Sequence, residues 1–216
     1  MSEHAAPTAA DPTPEDVARA AFYALLARLF TTGPDAALLA AIAAADPLSV
    51  ARASGERTDE GADGLAAAWD ALRAASAASD PDAIRQEYDD LFVGVGKSEV
   101  NLHASHWLTG FMMEKPLAEL RSALADLGLG RRADALLVED HLAAVFETMR
   151  ILAGGSESVP PASFVVQKTF FERHVLPWTF RCLDEIVMSP LAIYYRAVAQ
   201  FANKFVAIER DAFAID

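Results

Sequence analysis

An all-α fold is what this sequence predicts, and three observations predict it. Apolar residues recur at three- and four-residue spacing along most of the chain. Alanine dominates many windows, which favours helix because alanine gives up no side-chain entropy there. No segment shows the period-two alternation of a strand over useful length, and no repeat of fixed period appears. With 216 residues, 53% of them hydrophobic, the chain can bury one substantial core or two small helical lobes that share an interface.

The first helix starts at Thr13-Pro14-Glu15-Asp16, where Thr13 can cap, Pro14 suits the first helical position and the acids favour the positive end of the dipole. Phe22, Leu25, Leu26, Leu29 and Phe30 then share one face, and Gly33-Pro34 stops the helix. A second helix is predicted over about 35–45, ending at Asp46-Pro47, and residues 49–63 read as a loop. Leu65, Trp69 and Leu72 mark the third helix. Asp80-Pro81-Asp82 repeats the cap-and-proline signal, with Ile84, Tyr88, Leu91 and Phe92 along one face until Gly94. Pro116 opens a helix whose Leu117, Leu120, Leu124 and Leu127 align, capped by Gly128. A further helix over about 133–153 buries Leu142, Val145, Phe146, Met149 and Leu152 and ends at Gly154-Gly155. Three more are expected over 161–175, 177–188 and 190–213, the last with a stripe of Leu191, Tyr194, Tyr195, Val198, Phe201, Phe205 and Ile208.

This pattern divides into a disordered tail (1–15), an N-terminal helical lobe (16–94), a loop or hinge (95–115) and a C-terminal helical lobe (116–216), one functional domain overall. The first fifteen residues lack the basic start and apolar run of a secretory signal. No stretch is apolar for long enough to span a membrane. The expected location is cytoplasmic, and the expected state a monomer, with a domain-swapped dimer as the alternative. Eighteen Lys and Arg against 31 Asp and Glu leave a net charge of −13, a field that repels nucleic acid and attracts a basic partner. Cys182 is the only cysteine, which excludes an internal disulfide and a cysteine metal cluster, and its helical setting makes it a small core residue.

The richest stretch is 87–107, EYDDLFVGVGKSEVNLHASHW, a helix running into a loop with two histidines and a tryptophan. Ordinary interhelical links are short and polar, so this one reads as a recognition loop. His103 and His106, spaced i, i+3, could approach one metal, with Asp140-His141 as further ligands, but nothing in the sequence brings 103 and 140 together. Glu139-Asp140-His141 lies on the predicted 133–153 helix and invites a general-base reading, yet Ser105 and Cys182 are nucleophiles only by residue type, with no Gly-x-Ser-x-Gly elbow. Gly96-Lys97-Ser98 ends like a phosphate loop, but position 91 holds Leu91 where that motif needs its first glycine, and the loop follows a helix, so Lys97 is expected in solvent. In FFERHVLPW at 170–178, Pro177 breaks one helix and starts the next, which holds His174 and Trp178 near the junction.

Three stretches together, EYDDLFVG at 87–94 with the loop to Ser105, EDHLAAVFETM at 139–149, and FFERHVLPW at 170–178 followed by the Tyr194-Tyr195 helix, resemble the TorD/DmsD family, related to NarJ. The order, spacing and helical context match over about residues 16–213. The resemblance implies an all-α bundle of two helical lobes joined by a central loop. It implies a cytoplasmic chaperone, not an enzyme and without a cofactor of its own. Such a chaperone binds the twin-arginine signal peptide or apo form of a molybdopterin oxidoreductase and assists cofactor insertion before export. Asp140 and His141 match the family's Asp-His pair linked to signal-peptide binding, and Tyr88, Phe92, Gly94 and Ser105 match its loop. The chain departs from the family at Gly94-Val95, where Gly-Pro is common, at Ala104-Ser105, where Glu-Ser is common, and at Leu137-Val138, where Glu-Pro is common. Client specificity is expected at Val95 and Ala104.

A binder of a basic, then apolar, peptide needs carboxylates beside an aromatic groove, so His106, Trp107, Glu139, His174 and Trp178 join the expected client-binding set. The alternative reading is a metal- or haem-binding helical enzyme. Guanine nucleotide binding has no identifiable site in the sequence.

Overall fold

The computed structural model describes residues 12–48, 60–94, 98–131 and 136–215. Ten α-helices order along it: α1 Pro14–Thr31, α2 Ala36–Ala44, α3 Glu60–Ala78, α4 Pro81–Tyr88, α5 Ala104–Thr109, α6 Lys115–Asp126, α7 Leu142–Gly154, α8 Phe164–Phe170, α9 Thr179–Met188 and α10 Tyr194–Ala214. Two π-helical turns, Asp89–Val93 and Phe171–Val175, extend α4 and α8. No strand occurs among the described residues, so the all-α expectation holds.

The cap signals act as the sequence implies. Thr13 accepts from the Asp16 amide while the Asp16 carboxylate accepts from the Thr13 amide, a reciprocal capping box at α1. Asp35 and Asp80 cap α2 and α4 through the amides of Leu38 and Ala83. Gly128 takes a φ of 69° just past α6, where a residue with a Cβ would be strained.

Five boundaries differ from expectation. Residues 1–11 and 49–59 lie outside the described residues, but Pro14 and Glu15 already belong to α1, and α3 begins at Glu60, inside the predicted loop. The 95–115 segment, with 95–97 outside the described residues, carries the short helix α5. The seventh helix starts at Leu142, not near 133, so Glu139, Asp140 and His141 precede it. The last helix starts at Tyr194, leaving Leu191 exposed instead of in the buried stripe.

One hydrophobic cluster collects side chains from α1 to α10, so the segments 16–94 and 116–216 share a core. α1 packs along α7, closely enough that a Cβ on Gly154 would stand 2.8 Å from the Ala20 Cβ. α10 packs against both α3 and α9. Tyr23, which the apolar pattern of α1 does not single out, is fully buried against Phe146 and Phe205. Its hydroxyl donates to Glu209, which also takes two bonds from Arg19 at 2.7 and 2.8 Å, tying α1 to α10 inside the core. Cys182 is buried, as its setting implies, and burial pushes its thiol pKa up.

Candidate functional site

The segment after the π turn is fastened to the approach to α7. The Ala104 amide donates to the Asp140 carbonyl at 2.9 Å and the Leu142 amide to the Leu102 carbonyl at 2.8 Å, an isolated antiparallel bridge pairing His103 with His141. Sequence alone does not join these two segments; two backbone bonds do. The Asp140 side chain then reaches the start of α5. One carboxylate oxygen accepts from the Ser105 amide at 3.0 Å and from the Ser105 hydroxyl at 2.6 Å. Asp140 and Ser105 are both buried, so these bonds satisfy polar groups that would otherwise be costly in the interior.

His141 caps α7. Its Nδ1 accepts from the Ala143 amide at 3.2 Å, which requires that nitrogen to be unprotonated. Burial, with the neighbouring His103 adding to it, lowers the His141 pKa to about 3. The His103 ring stands edge-on to His141 at 4.9 Å, and burial lowers its pKa too. Ser105 is bonded to Asp140 and not to an imidazole, so the nucleophile-to-base hydrogen bond of a hydrolytic triad is not formed. Among the described residues no group of three or more His, Cys, Asp and Glu side chains is placed to hold a metal ion.

Around this pinned seam lie the partly exposed members. Trp107 donates from its indole to the Asn101 carbonyl at 2.6 Å, carries the Arg181 guanidinium over its ring at 5.5 Å and meets the His106 ring edge-on. Glu139 pairs with Arg121 at 2.9 Å, and that bond holds its carboxyl below the usual range.

The other expected residues lie in two separate places. Phe92 packs edge-on against Tyr88 and Tyr195, Tyr88 lies tilted against Tyr195, and the Tyr88 hydroxyl donates to the Thr31 carbonyl, so both join the helices. Burial, then the charge of Asp89, pushes the Tyr88 pKa up to about 12. Gly94 closes the π turn with a φ of 62°, its amide donating to the Asp89 carbonyl. Trp178 is buried, its indole donating to the His174 carbonyl at 2.8 Å, while the half-buried His174 ring lies tilted against Phe170. Lys97 lies outside the described residues.

The residue that sequence reasoning passed over is Glu87, the first of the EYDDLF run. Its carboxylate accepts from the amides of Ile193, Tyr194 and Tyr195 at 2.8, 3.0 and 2.8 Å, supplying in place of a local side chain the cap that α10 needs. The signal for it was a glutamate on the inner side of a motif helix, with a helix start elsewhere that has no Ser, Thr, Asp or Asn before it.

No curated protein matches the chain. A family model described as nitrate reductase delta subunit matches residues 58–184, a stretch that contains the 87–107, 139–149 and 170–178 segments. That match covers more than half of the sequence, and the chain belongs to the nitrate reductase delta subunit family of NarJ/TorD-type chaperones for molybdoenzyme maturation.

Proposed function

We propose that this chain binds the twin-arginine signal peptide and the apo catalytic subunit of a molybdopterin oxidoreductase, and withholds that client from export until its cofactor is inserted. The observation that carries the reading is family membership across all three motif segments. The geometry supports a division of labour among the candidate residues. Ser105, Asp140, His141 and Trp178 are buried and position the 98–107 segment and the corner before α9. His106, Trp107 and Glu139, beside this segment, keep part of their surface in solvent and are available to touch a client, as are the half-buried Tyr88, Phe92, Gly94 and His174 further off. The net charge of −13 favours a basic partner at long range.

The test is to produce a candidate client molybdoenzyme in its native host with and without this chain. The client's molybdenum content and its cytoplasmic and exported fractions are then measured. Several-fold less metal in the client made without the chain, with premature export, is the expected result. Equal metal content and equal export in the two strains would overturn the proposal.

A further inference from the structure

Immediately after α5, the chain presents Phe111, Met112 and Met113 to solvent, three consecutive large apolar side chains of which Phe111 and Met113 are 70% and 71% exposed. Leaving such side chains uncovered forgoes the stabilisation that burying them would give. The backbone that holds them out is itself unfavourable, since Met113 has a φ of 58°, in the left-handed region that a residue with a Cβ avoids. The patch is anchored at its middle residue, where the Asn101 side-chain amide donates to the Met112 sulfur at 3.4 Å. Flexible thioethers beside a phenyl ring make a surface that adapts to varied apolar segments.

Asn101 also connects this patch to a cleft, because its carbonyl accepts the indole of Trp107. The cleft encloses about 550 Å³ between Trp107, the exposed Met188 at the end of α9, and the carboxylates of Glu99, Asp184 and Glu185. Among the described residues one cation lines it, Arg181, and its guanidinium lies over the Trp107 ring. Asp184 accepts a hydrogen bond from Asn203, whereas neither Glu99 nor Glu185 forms an ion pair among the described residues. The cleft therefore carries surplus negative charge against an aromatic wall, and the adjoining patch is apolar.

We infer that this composite surface docks an extended peptide segment in which a pair of arginines precedes an apolar run. The guanidinium groups enter the cleft against Glu99 and Glu185, and the apolar run lies on Phe111 to Met113. Planar guanidinium groups suit both features of the cleft, because they bond carboxylates bidentately and stack on indole rings. The inference rests on the signal-peptide reading above and gives it a location outside the buried Asp140–His141 pair.

The experiment titrates a fluorescently labelled synthetic peptide, two adjacent arginines followed by an apolar stretch, into the full chain at two salt concentrations. Two double variants are compared with wild type, Glu99→Gln with Glu185→Gln and Phe111→Ser with Met113→Ser. All four side chains are exposed, so circular dichroism and thermal midpoints should match wild type. The carboxylate pair is expected to weaken binding about tenfold and to remove most of its salt dependence. The apolar pair is expected to weaken it by about as much while keeping that dependence. Wild-type affinity in both variants would overturn the location and leave the chaperone reading standing. A loss in one variant alone would overturn the two-part orientation, and no binding to wild type would sink the signal-peptide reading itself.

Discussion

Asp140 and His141 are adjacent in sequence and hold different elements. The Asp140 carboxyl accepts two bonds from Ser105 at the start of α5, while the His141 imidazole is kept neutral by burial and by the amide it must accept. Protonating His141 would turn the acceptor that caps α7 into a donor facing the positive end of that helix. A folded-state pKa of about 3, below the ordinary histidine value of 6.5, has a definite sign. The unfolded chain binds a proton that the folded chain refuses, so stability is full above pH 6.5 and falls as pH drops toward 3. The lowered pKa values of His103 and His174, both through burial, act in the same direction. The expected outcome is a thermal midpoint several degrees lower at pH 4.5 than at pH 7.5, with a visibly smaller drop in His141→Asn, whose amide oxygen caps without titrating. Differential scanning calorimetry across that range checks it, and equal drops in the two proteins would refute the assignment to His141. The pair was legible as important from the EDH run; its role was not. A histidine is an uncommon cap, and Leu137 and Val138 continue the helical spacing upstream, so periodicity carried the predicted helix through residues that in fact bridge to His103.

At the scale of elements, the starts written locally were legible and the start written at a distance was not. Thr13-Pro14, Asp35 and Asp80-Pro81 hold cap and helix in neighbouring residues, and each begins a helix within a residue of its expected place. Pro190 looked like another such start, yet α10 begins at Tyr194 because its acceptor is Glu87, 106 to 108 residues earlier. No window of sequence contains both ends of that interaction. Replacing Glu87 with alanine leaves three amides at the head of the last helix without their acceptor, a loss of about 1–3 kcal/mol. Hydrogen exchange should then quicken first at Ile193, Tyr194 and Tyr195, with the middle of α10 following only to the extent of the global loss. Unchanged protection at those three amides would refute the cap. The same logic covers the candidate site: the aromatic and histidine content of 87–107 was visible in sequence, but which members face solvent depends on the bridge to 141 and the Asp140 bonds, both long-range.

Across the whole molecule, the longest link is the Arg19–Glu209–Tyr23 network, which joins the first helix to the last with Glu209 about as buried as the core around it. Glu209→Ala leaves the buried Tyr23 phenol without its acceptor and the part-buried Arg19 guanidinium with Asp16 alone, and is expected to destabilise by about 2–4 kcal/mol. Glu209→Leu paired with Arg19→Met should recover most of that loss, because an apolar pair removes the charge from the interior altogether. Urea midpoints of the three proteins decide it; a double variant no better than Glu209→Ala would show that the network itself, and not the orphaned charge, sets the stability. The last helix is also where the chain's synthesis meets its fold. Phe201 covers Phe22 at 5.3 Å and Trp69 at 5.3 Å, and α10 packs on both α3 and α9. A nascent chain leaving the ribosome must therefore carry those rings uncovered, and Glu87 without its amides, until the final helix has been made. For the length of its own translation, a protein that serves unfinished enzymes is itself unfinished, with the same kind of apolar surface in need of cover.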